Sequence, residues 1–190
     1  MDPISPYPHL GKGSFLVASP EIEWGIFYRS VLLLCEHNPS GSFGLVINKP
    51  LDVELPDELF DSETFVNPHV EIRAGGPVQP NQMLLIHDCT DIPHQTLKVC
   101  DGAYLGGDLQ FLQKSVSKEE GPKLRLCFGY TGWGSGQLEK EFLEGGWFLS
   151  KAKVEYIFDT PVDKIWQAVL RDMGGKYATL SMIPEDLSLN

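Results

Sequence analysis

The apolar positions of this chain fall into two kinds of pattern. Short runs rich in β-branched, aromatic and aliphatic residues, several of them closed by Gly, Pro, Asn or Ser, predict strands at 15–18, 27–35, 43–47, 70–74, 83–86, 96–100 and 123–128. Residues 151–158 alternate, with Lys151, Lys153 and Glu155 against Ala152, Val154, Tyr156 and Phe158, and predict a further half-exposed strand. The second pattern is helical. After Thr160 as N-cap and Pro161 as first residue, Val162, Ile165, Trp166, Val169, Leu170 and Met173 form one stripe that stops at Gly174 and Gly175. Two more helices are expected at 108–117, capped by Asp108 after Gly106 and Gly107, and at 136–144.

The runs at 27–35 and 43–47 flank Pro39, Ser40 and Gly41 and predict an antiparallel hairpin. Glu36, His37 and Asn38 then lie at its turn, and Arg29 lies at the open end opposite Asn48 and Lys49. At a rise of about 3.3 Å per residue the two groups are about 20 Å apart, so they form separate sites. Many strands, a hairpin and few helices predict an α+β, mixed-sheet fold in preference to a doubly wound one. A length of 190 residues suits a single compact domain spanning 1–190. Pro3, Pro6 and Pro8 make 1–12 an extended arm. An acidic excursion over 51–69 holds six acids and no base between Asp52 and Glu63, on a short amphipathic helix.

Composition narrows the function classes. With 42% apolar and 22% charged residues the chain reads as an ordinary soluble globule. A net charge of -11 with scattered Lys and Arg argues against direct nucleic-acid binding and against an anionic membrane surface. No apolar run approaches the roughly 20 residues of a membrane span, and the start has no signal-like apolar region, which predicts a cytoplasmic protein. Cys35, Cys89, Cys100 and Cys127 form no Cys-x-x-Cys pair and are expected as reduced thiols.

The most conspicuous segment is 129–141, read as a strand-to-helix turn. Its glycines and helix start suit an anion, with Tyr130 and Trp133 to stack, Gln137 and the amides near Gly136 to donate, and Glu139 or Glu141 to accept. Gly132, Gly134 and Gly136 do not give the dinucleotide spacing, no Lys follows as in a P-loop, and Ser135 lacks the glycines of a serine elbow. His87, Asp88, Cys89, Asp91 and His94 are metal-ligand types in no standard zinc spacing, so no metal or other cofactor is expected. His37 beside Glu36 has the types of a general base and its orienting carboxylate, without an identifiable nucleophile.

Several stretches together resemble the AlgH/YqgE family of uncharacterised bacterial proteins. These are 13–20 (GSFLVASP), Phe27 with Arg29, Ser30 and Val31, 35–38 (CEHN), 41–50 (GSFGLVINKP), 75–78 (GGPV), and Gly129, Tyr130, Gly132, Trp133, Gly136, Gln137, Leu138, Glu139 and Glu141. The resemblance implies a strongly bent mixed sheet with peripheral helices, in a bacterial cytosol, and no established activity. The functional expectation is a noncatalytic binding or regulatory protein. Its site would be the 129–141 segment with Arg29, Asn48, Gly75 and Gly76, holding a small anionic ligand or a protein. The alternative is a small-molecule enzyme, hydrolytic or nucleotide-dependent, using Glu36 and His37 or the 129–141 turn.

Overall fold

The run Val-Leu-Leu-Leu-Cys at 31–35 is buried at every position, and a strand with no polar face must be covered on both sides. The computed structural model, which describes residues 9–23, 25–55 and 64–185, shows how. The strands are β1 (Ser14–Ala18), β2 (Val31–Asn38), β3 (Gly41–Val46), β4 (Val70–Ala74), β5 (Val78–His87), β6 (Thr96–Cys100), β7 (Ala103–Gly106), β8 (Leu124–Gly134) and β9 (Trp147–Lys151). They form one curled mixed sheet in the order β6-β7-β5-β8-β3-β2-β1-β9, with β4 also on β8. Every pairing is antiparallel except β4 with β8. The helices are α1 (Leu109–Val116), α2 (Gln137–Leu143), α3 (Val154–Phe158), α4 (Ile165–Met173) and α5 (Gly175–Leu180), with a short 3-10 turn at Val162–Lys164. The expected α+β class with peripheral helices therefore stands.

Strand alternation sorts the core. Phe15, Val17, Val31, Leu33 and Cys35 face Ile157, Phe158, Ile165, Trp166, Val169 and Leu170 of α3 and α4. Leu16, Ala18, Leu32, Leu34 and Val46 face Leu138 and Phe142 of α2, together with Trp133 and Trp147. A third cluster seats Leu112 and Val116 of α1 on Leu85, Leu124 and Leu126. Each buried aliphatic or aromatic side chain contributes roughly 1.5–3 kcal/mol relative to exposure, so these layers outweigh any local propensity.

Local expectations fare unevenly. The hairpin at 31–46 forms with a two-residue loop, Asn38 opposite Gly41. Residues 27–30 are not strand: 27–29 form a turn and Ser30 leads into β2. Asp108 caps α1 through Phe111 N at 2.7 Å. Thr160 does not cap; its hydroxyl donates to the Glu155 carbonyl at 3.0 Å, and Pro161 precedes the 3-10 turn. Residues 151–158 are not one strand: β9 ends at Lys151 and α3 follows, burying Ile157 and Phe158 on a helical rather than alternating spacing. The largest correction concerns 129–134, which is not a turn. β8 runs on through it, pairing Gly41 to Gly134, Ser42 to Trp133, Phe43 to Gly132 and Gly44 to Thr131. The helix expected within 52–63 falls mostly outside the described residues, as does most of the expected 1–12 arm; residues 9–13 form a turn leading into β1.

Candidate functional site

The glycines of the candidate set explain the path of the chain before they explain any ligand. β4 lies parallel to the first half of β8, and β5 lies antiparallel on its other side, starting with Val78 opposite Tyr130. The link between them, Gly75–Gly76–Pro77, must cross β8. It does so at Gly129 and Tyr130: a Cβ on Gly75 would lie 2.3 Å from the Gly129 carbonyl oxygen, and one on Gly76 would lie 2.2 Å from the Tyr130 carbonyl carbon. Gly75, Gly76 and Gly129 are thus a backbone crossing with no room for side chains.

Past Tyr130, β5 no longer pairs with β8. Residues Thr131 to Gly134 are held by β3 on one edge, and among the described residues no strand pairs with the other edge. A cleft of about 510 Å³ opens beside it, lined by Pro77, Val78, Thr131, Gly132 and Trp133, and by Phe27, Ile22 and Trp147. Its charged lining is Glu21, Glu141 and Glu144, with no base among the lining residues. Gly132 is exposed, so the strand backbone is open to the cleft.

Glu141 organises this end. Its Oε2 accepts the indole N–H of Trp133 at 2.9 Å and of Trp147 at 2.7 Å, and its Oε1 accepts from Gln137 Nε2 at 3.1 Å. The two indoles meet edge-on with centroids 6.4 Å apart, and Phe27 packs edge-on to Trp147 at 5.9 Å. Gln137 also accepts the Gly134 N–H at 3.0 Å. Trp147 arrives through the pairing of Ala18 with Trp147 between β1 and β9. Sequence reasoning found Trp133, Gln137 and Glu141 but missed Trp147, Phe27, Glu21 and Glu144; the only local signal was the i, i+4 spacing of Gln137 and Glu141.

The remaining candidates stand elsewhere. Tyr130 is one parity step away from Trp133 on an alternating strand, so it points to the opposite face and packs edge-on to Phe43 at 5.4 Å. Gly136 has φ +70 and opens α2. Glu139 leaves the cleft and approaches His37, Oε1 to Nε2 at 3.5 Å, while His37 Nδ1 is 2.7 Å from Ser42 Oγ. The two-residue hairpin loop puts Ser42 opposite His37, a pairing readable from the loop length yet overlooked. Glu36 turns away to Asn38.

Arg29 and Asn48 line a second cavity of about 160 Å³ that shares no lining residue with the cleft. The joint site expected from the sequence therefore divides into two. Arg29 is not in a strand and pairs with no carboxylate among the described residues; its Nη2 donates to the carbonyls of Ile183, at 2.6 Å, and Pro184. Asn48 bridges the chain, accepting from Val31 N and donating to the Arg29 carbonyl, both at 2.8 Å.

Among the described residues no three His, Cys, Asp or Glu side chains converge as metal ligands would. His87 is fully buried, its Nδ1 accepting from Cys89 N at 3.2 Å and its ring stacked on Tyr104; burial holds its pKa below the ordinary value. The four cysteines are free, and burial pushes the Cys127 thiol up to about 12 and Cys35 further in the same direction. Among the described residues no helix is long and apolar enough to cross a membrane.

The fold of this curled mixed sheet is shared with known proteins. The AlgH-like family pattern matches residues 15–178, and the chain belongs to that family. A UPF0301 protein of Chlamydia abortus is 53% identical over 185 residues, covering 97% of this chain and 98% of that one. A UPF0301 protein of Chlorobium limicola is 33% identical, covering 98% and 100%. The solution structure of the AlgH protein from Pseudomonas aeruginosa superposes with a TM-score of 0.71 at 27% identity, over 97% of this chain and 98% of that one. A crystal structure of a Corynebacterium diphtheriae protein has the same fold, with a TM-score of 0.72 at 23% identity over 91% and 92%. These relatives carry no specific activity in their names.

Proposed function

We propose that the chain is a noncatalytic binding protein of the bacterial cytosol whose cleft takes an extended, cationic segment of a protein partner. The observation that carries this reading is the edge of β8 at 131–134, which pairs with no strand among the described residues and whose Gly134 N–H is held by Gln137, beside a cleft whose charged lining among the described residues is Glu21, Glu141 and Glu144. A free strand edge recognises extended backbone by hydrogen bonding, and the adjoining pocket selects the side chains. A volume of about 510 Å³ lies within the range of ligand pockets. Three carboxylates with indole and phenyl rings favour Lys or Arg over an anion. Anions are disfavoured here, so this reading keeps the protein partner of the original expectation for the cleft and gives up the small anion there.

The test is a titration with a hexapeptide of alternating Lys and Val, followed by backbone amide shifts. Perturbations are expected at 131–134, 77–78 and the Trp147 indole. Perturbations absent there, or strongest on another face, refute the reading.

A second reading, hydrolysis, is favoured by the string Ser42 Oγ, His37 Nδ1 and Nε2, Glu139 Oε1. Nucleophile, base and orienting carboxylate are the required types. Against it, Ser42 is buried, paired in register with Trp133, and the 3.5 Å contact is longer than a hydrogen bond. Hydrolysis of p-nitrophenyl acetate that disappears in Ser42→Ala, with the fold intact, would favour catalysis; equal rates in both proteins would remove it.

A further inference from the structure

Three arginines, Arg29, Arg73 and Arg125, are buried. A buried cation needs a carboxylate or a full set of acceptors to offset its desolvation. Glu71 serves Arg73 and Arg125, and Arg125 also donates to carbonyls of Leu124, Ile157 and Phe158. Arg29 is served differently. Nη2 reaches the carbonyls of Ile183 and Pro184, the guanidinium stacks 4.6 Å from the Trp166 ring centroid, and Nη1 is buried with no hydrogen-bond partner among the described residues.

The backbone of Arg29 is strained as well. Its φ of +49 is left-handed, a region that crowds the Cβ of a side-chain-bearing residue against the backbone. Asn48 helps hold that geometry through the Arg29 carbonyl and Val31 N. Strain that the fold maintains around a half-satisfied buried guanidinium points to a task for the guanidinium.

Lys49 lies on the same cavity. Its Nζ donates to the Tyr28 carbonyl, and no carboxylate lies within ion-pair distance among the described residues. Asp163 and Glu185 also line the cavity without pairing to either cation. A volume of about 160 Å³ is below that of drug-sized ligand pockets and holds only a few water-sized groups.

We propose that this cavity binds one small oxyanion, a phosphate or a carboxylate, between Arg29 Nη1 and Lys49 Nζ, with residues 183–185 as the strap that covers it. The anion supplies the missing acceptor on Nη1 and adds to the negative charge that Glu185 already places near Lys49. Tyr28, whose hydroxyl donates to the Glu185 carbonyl at 2.9 Å, ties the strap to the same loop. Burial and the neighbouring Arg29 lower the pKa of Lys49 while Glu185 opposes them, which is the state a second anion would relieve.

The test uses the full chain in chloride, with inorganic phosphate or acetate added at matched ionic strength, and reads melting temperature and backbone amide shifts. A saturable rise in melting temperature is expected with at least one of the two anions, with shifts at 28–31, 48–50 and 183–185. Lys49→Gln should weaken the apparent affinity by at least about tenfold, whereas Lys151→Gln, on another surface, should leave it unchanged. A two-anion result names the shared chemistry; a response to only one selects phosphate or carboxylate. If Lys49→Gln retains the wild-type response, if no saturation occurs with either anion, or if the shifts map elsewhere, the proposal is overturned. Arg29→Lys serves as a second variant: loss of response with an unchanged melting temperature in chloride supports it, and an unchanged response refutes it.

Discussion

Gly76 crosses Tyr130 so closely that a Cβ at position 76 would stand 2.2 Å from the Tyr130 carbonyl carbon and 2.5 Å from Thr131 Oγ1. This crossing brings the chain from one side of β8 to the other, and beyond it Thr131 to Gly134 pair with β3 on one edge and, among the described residues, with no strand on the edge beside the cleft. Gly76→Ala must push two backbones apart, and we expect a loss of about 3 kcal/mol or more. Denaturant unfolding measures it; a change under about 1 kcal/mol would mean that the crossing is loose.

Glu141 holds two indole N–H groups with one oxygen. Both tryptophans are nearly buried, at 5% and 6% exposure, so a variant without an acceptor orphans both donors. Glu141→Leu is expected to lose about 2–5 kcal/mol, and Glu141→Gln, which keeps one carbonyl, about 1 kcal/mol. Equal losses in the two variants would show that the indoles do not depend on that carboxylate. Tryptophan fluorescence during urea unfolding follows both.

His87 gives a pH dependence with a definite sign. Burial lowers its pKa below the ordinary 6.5, with Asp88 opposing. In the unfolded chain the imidazole titrates near 6.5, so below that pH the unfolded state takes up a proton that the native state does not. The His87 contribution is therefore intact above pH 6.5 and is lost as pH falls towards the lowered native value. Relative to His87→Asn, which keeps an acceptor near Cys89 N without titrating, wild-type stability should decline between about pH 6.5 and 5 by at most about 1.4 kcal/mol per pH unit. A constant difference across that range would contradict it.

Cys35 and Cys127 are buried, and burial raises the pKa of both thiols. Only the thiolate reacts. Both should resist iodoacetamide in the native protein at pH 8 and react fully in urea, as peptide mass mapping would reveal. Rapid native modification of either would show that its strand opens.

The sequence made the strands that end in recognisable punctuation legible: β4 matches its expected span, and β2 with β3 follows from Pro39, Ser40 and Gly41. β8 was readable only to Phe128, because glycine at 129, 132 and 134 signals a turn locally. Here it serves a crossing and a pairing with β3 that only distant residues, Gly76 and Gly41, impose. The 151–158 segment misled for a similar reason: alternation over eight residues is compatible with a strand end followed by one helical turn, and packing against α4 decides. At the site, Trp133 and Gln137 were legible because they flank the glycines. Trp147 and Phe27 come from other strands and turns, and the separation of Arg29 from Trp133 is set by the sheet order.

That cationic segments occupy the cleft is tested most directly by reversing the charge of Glu21 and Glu144, both exposed and neither bonded to the tryptophans. Affinities of the Lys–Val hexapeptide and of a Glu–Val counterpart would be measured for the wild type and for Glu21→Lys/Glu144→Lys at low and moderate salt. The Lys–Val peptide should bind the wild type, weaken as salt rises, and lose at least about tenfold in the double variant, while the Glu–Val peptide gains. Equal affinities of both peptides for the wild type, or no change on charge reversal in a variant of unaltered stability, would contradict the assignment.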